Sequence, residues 1–182
     1  MSVWPVPDSF SKDIPKKGSQ GSFWEDRDER FNCGIDIFAP SGSEVLAIEP
    51  GVVFITDVYT NHDLAGYFNK TYYVLIRTPH KVFFKYAALQ EVFVNVGEQV
   101  KPGQVIGKIG TVFNENKMDM DTPYYIMDLV NLGNTSMLHV EIYKFPVVEI
   151  KPYSAGNFLG KQKPYSLLDP ALYLNGSRKH HT

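Results

Sequence analysis

From residue 31 onward the chain is a succession of short β-branched and aromatic stretches cut by turn residues, and this rhythm constrains the fold more than any other feature. The stretches "CGIDIF", "EVLAI", "GVVFITDVY", "TYYVLIRT", "KVFFKYAAL", "VFVNV", "QVIGKIGTVF" and "MLHVEIYK" have strand length and alternate in part. No window sustains a long 3.6-residue periodicity, so the pattern predicts an all-β domain. Turns are legible in "APSGSEV", in "IEPGVV" and in the glycines of "NVGEQVKPGQVIGKIG", where the chain can reverse without Cβ strain. The connections at 60–70 and 114–136 are longer than ordinary hairpin loops, and long loops in compact β domains are common sites of binding.

At 182 residues the chain suits one domain with a substantial core. Residues 1–20 read as an irregular N-terminal arm, 21–175 as the domain and 176–182 as a flexible tail that takes His180 and His181 with it. The charge run "EDRDER" at 25–30 reads as a solvated segment. Near the C-terminus, Leu167, Leu168, Leu172 and Leu174 flank an Asp-Pro and suggest a short helical turn or capping strand on the core. The net charge of −2, with Lys and Arg scattered, gives no footprint for a polyanion, so no nucleic-acid partner is expected. Nothing resembles a signal peptide or reaches the roughly 18 apolar residues of a membrane span, so the expectation is a cytoplasmic protein with no membrane partner. The single cysteine, Cys33, excludes an internal disulfide and agrees with a reducing compartment.

The order of motifs is more specific than the composition. "N-C-G-I-D-I" with "A-P-x-G-x-x-V" is followed by "Y-A-A-L", "V-N-V-G-E-Q-V-K-P-G-Q-V-I-G-K-I-G", "M-L-H-V-E-I" and "L-L-D-P-x-x-Y-L". From about Gly21 to Leu174 this series resembles the lysostaphin/LytM-type zinc metalloendopeptidases. The resemblance implies a β-sandwich or barrel-sandwich of the duplicated hybrid type. In that family the zinc is held by the His and Asp of a His-x-x-x-Asp motif and by the second His of a His-x-His motif. A histidine in Tyr-x-His-Leu and the first His of His-x-His act as general base and transition-state stabiliser. Carried over by position, Asp36 and His139 match ligands, and Asn32 stands where the first ligand histidine belongs. Ala88 and Met137 stand at the two catalytic positions, so three of the five functional residues are replaced.

Those replacements are chemically severe. An amide oxygen is a poor zinc donor, and a two-ligand site is weak, so the expectation is no zinc or a weakly bound one. Neither Ala88 nor Met137 can transfer a proton, a role that contributes roughly 10² to 10⁴ in rate. Glu141, two residues from His139 on the same face, could complete a metal site with Asp36, and the Tyr86 hydroxyl could serve an oxyanion. Without metal, Asp36 and His139 can instead satisfy one another as a hydrogen-bonded pair. Cys33 should turn away from Asn32 by strand alternation and reads as a buried inert thiol. His62, Asp63, Asp119 and Asp121 read as solvated loop residues, and His80 as an exposed turn residue.

Three functions follow from this reading. The first is a catalytically degenerate member whose groove, with Asn32, Asp36, Ala88, Met137 and His139 at its floor and Tyr86 and Glu141 near it, binds a peptide, glycan or partner protein. The second is an active zinc hydrolase with a site rebuilt around Asp36 and His139. The third is a carrier domain, because the glycine-rich segment also resembles half of a biotinyl or lipoyl domain, although Lys81, Lys85 and Lys117 all lie outside the expected hairpin.

Overall fold

The computed structural model describes residues 2–145 and 150–175. The strands are β1 (Phe31–Asn32), β2 (Ile35–Phe38), β3 (Glu44–Leu46), β4 (Gly51–Thr60), β5 (Thr71–Arg77) and β6 (Phe83–Val92). They continue with β7 (Gln99–Val100), β8 (Val105–Ile109), β9 (Met137–Tyr143), β10 (Tyr153–Ser154), β11 (Asn157–Phe158) and β12 (Leu167–Leu168). The described residues also hold two short α-helices, α1 (Tyr124–Asn131) and α2 (Ala171–Leu174), and a 3-10 turn at Glu115–Lys117. The protein is all-β in class, and no closed ring of paired strands occurs among the described residues.

The large sheet runs β12-β9-β6-β5-β4-β7, with β2 on β9 and the β3–β8 pair joined through β6. All these pairings are antiparallel, as expected of strands joined by turns. Strand β6 pairs with β9 as far as Ala87 and with β8 from Leu89. It changes partner at Ala88, whose φ of 68° lies in the left-handed region and costs an L-residue about 1–2 kcal/mol. Ala88, the residue that the resemblance sets at a catalytic-histidine position, thus sits where β6 changes partner.

Alternation decides what each face buries. Phe84 and Tyr86 on β6 join Leu138, Val140 and Ile142 on β9 in the main apolar core. Lys85 and Ala87 point the other way, opposite Glu141 and His139 in the register. A small second sheet, β1-β11-β10, covers that other face.

The N-terminal arm is irregular but firmly docked. Trp4 and Val6 enter the main core, and backbone bonds tie Val3 to Ile48, Pro5 to Leu46 and Phe10 to Phe38. Helix α1 lies inside the long 114–136 connection. Its apolar positions Ile126 and Leu129 are both buried, a spacing too brief to register as periodicity. The C-terminal leucines form both of the expected elements: Leu167 and Leu168 pair with β9, and α2 buries Leu174 while Leu172 stays exposed. His180 and His181 lie outside the described residues. Among the described residues, no helix is long and apolar enough to cross a membrane.

Candidate functional site

Register brings the family positions together. Asp36 on β2 lies directly opposite His139 on β9, which in turn lies opposite Ala87 on β6, while Glu141 lies opposite Lys85. His139 Nδ1 is 2.6 Å from Asp36 Oδ1, and its Nε2 is 2.9 Å from Glu141 Oε1. On one side, Arg27 Nη2 donates to Asp36 Oδ2 at 2.5 Å and lies 2.9 Å from Glu25 Oε2. On the other, Lys85 Nζ lies 3.4 Å from Glu141 Oε2 and donates to the Tyr153 hydroxyl at 2.8 Å. The site is a row of six ionisable groups, Glu25, Arg27, Asp36, His139, Glu141 and Lys85, in strict alternation of sign when His139 is protonated.

Polar neighbours complete it. Asn32 Nδ2 donates to Ser22 O at 3.1 Å and reaches Asp36 Oδ2 at 3.3 Å. The Tyr153 hydroxyl donates to Glu141 Oε1 at 2.5 Å, and that of Tyr143 donates to Glu141 Oε2. Among the described residues, no buried side-chain nitrogen or oxygen lacks a partner. This matters because an unpaired buried charge costs several kcal/mol.

The electrostatics follow from that pairing. Burial alone would raise the Asp36 and Glu141 pKa values, but Arg27 and then His139 hold Asp36 below the usual carboxylate range, and Lys85 and then His139 hold Glu141 well below it. Burial would lower His139, but the Asp36 charge and hydrogen bond, joined by those of Glu141, outweigh it and raise the pKa. Both ring nitrogens face carboxylate oxygens, and an imidazole bonds both only as the doubly protonated cation. Burial, and secondarily the Glu141 charge, pushes the Cys33 thiol far up, so it is neutral.

These donors do not fit zinc. The metal needs an imidazole lone pair, and both nitrogens of His139 are committed to carboxylates, while a guanidinium stands beside Asp36 where a dication would be repelled. Among the described residues, no group of three or more His, Cys, Asp or Glu is arranged to hold a metal ion.

Several expectations are corrected. The floor residues do not share one open groove: Asn32, Asp36, Ala88, Met137 and His139 are all buried, although Asp36 also borders the open cleft between the N-terminal arm and β2. Phe68, Phe113, Ile126 and Leu129 fill the space over Ala88 and Met137. Gly156 lies so close to His139 that an added Cβ would sit 2.7 Å from Nε2. The cavity that remains holds about 20 Å³, room for about one water. Tyr86 is not near the site. It faces the main core, where its hydroxyl accepts the Ile48 N–H at 2.9 Å, so it is not placed to serve an oxyanion. Cys33 is a buried thiol, as expected, and packs with Tyr73, Ala87 and Phe158. Lys85 is buried and paired, not a carrier's exposed lysine.

The residue that sequence reasoning missed is Arg27. Asp26, Asp28 and Glu29 are exposed as a solvated run should be, but Arg27 is 8% exposed. The chain doubles back here, with Trp24 N–H bonding Asn32 O, Asn32 N–H bonding Glu25 O and Arg27 N–H bonding Arg30 O, which turns Arg27 inward with Glu25 half-buried beside it. His62 and Asp63 are exposed and pair with each other at 3.4 Å. Asp119 caps its own turn by accepting from Thr122 and Asp121, and His80 is an exposed turn residue.

Comparison with known proteins agrees with this architecture. The Escherichia coli (strain K12) "Uncharacterized lipoprotein YgeR" is 36% identical over 80 residues, 44% of this chain and 29% of that lipoprotein, so the match spans under a third of the relative. Among solved structures, the antimicrobial peptidase lysostaphin from Staphylococcus simulans aligns over 99% of this chain and 57% of its own, with 17% identity and a TM-score of 0.55. A chain of the SpoIIQ-SpoIIIAH pore forming complex aligns over 100% of this chain and 98% of its own, with 18% identity and a TM-score of 0.51. At these identities the structural likenesses establish the fold. The family model of Peptidase family M23 matches residues 30–148, more than half of the chain. The chain belongs to Peptidase family M23.

Proposed function

We propose that this chain is a non-hydrolytic member of the family that works by binding a peptide, glycan or protein partner. The observation that carries this reading is the commitment of both His139 ring nitrogens to carboxylates, in a site whose proton-transfer positions hold Ala88 and Met137. A hydrolase needs a polarising metal or a positioned acid and base, and these side chains supply neither.

With the former floor buried, binding shifts to a neighbouring surface. An open cleft of about 630 Å³ lies between the N-terminal arm and β2. Phe10, Ile14 and Phe38 give it apolar walls, and Ser19, Gln20 and Asn134 give it hydrogen-bonding groups. This mixture suits an extended peptide, with apolar pockets for side chains and polar groups for the backbone. The likeness to a SpoIIQ-SpoIIIAH chain supports a protein partner ahead of a glycan, since that protein is seen in a complex. Setting is a separate matter: the single cysteine suits a reducing cytoplasm, whereas the curated relative is a lipoprotein, and cell fractionation decides between them.

The test is metal analysis of the purified protein after chelation and zinc re-addition, alongside turnover of peptide and peptidoglycan substrates. No stoichiometric zinc and no cleavage are expected. One tightly held zinc per chain together with turnover would overturn the reading. The variant Asn32→His/Ala88→His/Met137→His adds a control, expected to bind zinc more tightly than its parent.

A further inference from the structure

We infer that Arg27 is a built-in replacement for the metal ion, a cation supplied by the chain itself that holds the ligand-position carboxylate Asp36 together with the loops around it. This inference rests on the reading above, that the chain does not use zinc.

Asp36 occupies a zinc-ligand position by motif, and it is 2% exposed. A buried carboxylate needs a cation beside it, whatever the cation's identity. Here the guanidinium supplies it alongside the His139 imidazole, with Nη2 at 2.5 Å from Asp36 Oδ2. The other two nitrogens are also used: Nε is 3.0 Å from Glu25 Oε2, and Nη1 is 3.2 Å from Asn157 Oδ1. The flat face of the group lies over the Tyr125 ring, 4.8 Å from its centroid. One side chain thus joins four separate parts of the chain: its own turn, β2, helix α1 and β11.

That is the organising work a metal does, carried out with directional hydrogen bonds. A metal gathers ligands from several strands through coordination, and a guanidinium gathers them through a planar fork of five N–H groups. Asn157 extends the grip, because its amide donates to Tyr125 Oη at 3.1 Å and to Ala155 O at 3.0 Å, which holds the segment that lies over His139. A lysine has the charge but not the fork, so it should replace Arg27 only in part.

The experiment is thermal unfolding of the wild type, Arg27→Ala and Arg27→Lys, each with chelator, with zinc and with millimolar guanidinium chloride, far below denaturing concentrations. The wild type is expected to be indifferent to all three. Arg27→Ala should lose roughly 10 °C of melting temperature. It should recover part of that loss with guanidinium, but not with sodium chloride or methylammonium chloride at equal ionic strength. Arg27→Lys should fall between the two and show less recovery, and it carries the test if Arg27→Ala does not fold. A wild type that chelator destabilises, or that zinc stabilises, would sink the underlying non-metal reading. An indifferent wild type with an unchanged Arg27→Ala, or with recovery equal in all three salts, would overturn the role of Arg27 and leave that reading standing.

Discussion

Neighbouring residues on β6 and β9 belong to two different kinds of interior. Phe84, Tyr86, Leu138, Val140 and Ile142 face an apolar core. One residue out of step, Lys85, His139 and Glu141 face a chain of buried charges. Burial on the first face is favourable atom by atom, at roughly 25 cal/mol per Å². On the second face each ion loses several kcal/mol of hydration, which is offset only when all its partners are present. The apolar face should therefore respond to change in degrees, and the charged face as a unit.

Adjacent positions give the sharpest break in this comparison. Glu141→Gln keeps the shape but removes the charge that faces both Lys85 and His139, and it should cost about 3–5 kcal/mol. Ile142→Leu, on the next residue and facing the apolar core, should cost less than about 1.5 kcal/mol. Urea unfolding of the two variants measures both, and equal losses would erase the distinction.

A smaller effect tests how tightly the charged face is closed. Gly156 has φ of 79°, and an added Cβ would lie 2.3 Å from the Tyr59 hydroxyl. Gly156→Ala should cost about 1–3 kcal/mol and raise hydrogen exchange across residues 153–158, since the segment must lift from His139. Unchanged exchange would mean that the segment is not a lid over the charges.

The two faces should also differ in their response to pH. Asp36 and Glu141 have folded pKa values below their ordinary ones, so their contribution is present above about pH 4.5 and is lost as pH falls through the depressed values. His139 has a raised pKa, so its contribution is full below about pH 6.5 and is lost as pH rises through the raised value. Stability should peak between those limits and fall on the alkaline side by up to about 1.4 kcal/mol per pH unit as the imidazolium loses its proton. In His139→Gln that alkaline slope should vanish, while in Ile142→Leu it should remain.

The same contrast explains what could be read from sequence. The apolar face is written in local alternation, so the strands and the all-β class are legible without any partner being known. The pairing of Asp36 with His139 was open to reading because both fall within motifs. Arg27 was not, because its role depends on a turn that folds it inward, with Glu25 half-buried beside it, while Asp26 and Asp28 stay in water. Nothing in "EDRDER" distinguishes the inward residue from the outward ones. Helix α1 and the segment around Gly156 were hidden for a related reason: each is short, and each is held by what it covers. An open groove is what the family resemblance implies, and these two elements, together with Phe68 and Phe113, fill it.

The smallest expected effect concerns Tyr86, which the motif placed near the chemistry and the fold assigns to the apolar face. Its hydroxyl accepts the Ile48 N–H at 2.9 Å, and both residues are essentially fully buried. Tyr86→Phe keeps the ring packing but leaves that N–H without an acceptor, for a loss of about 1–2 kcal/mol. Because the hydroxyl touches none of the six charged groups, the loss should be the same at every pH across the plateau and the alkaline slope. A Tyr86→Phe loss that grew or shrank as His139 titrates would couple the two faces, and the apolar core and the charged row would then have to be treated as one cooperative network.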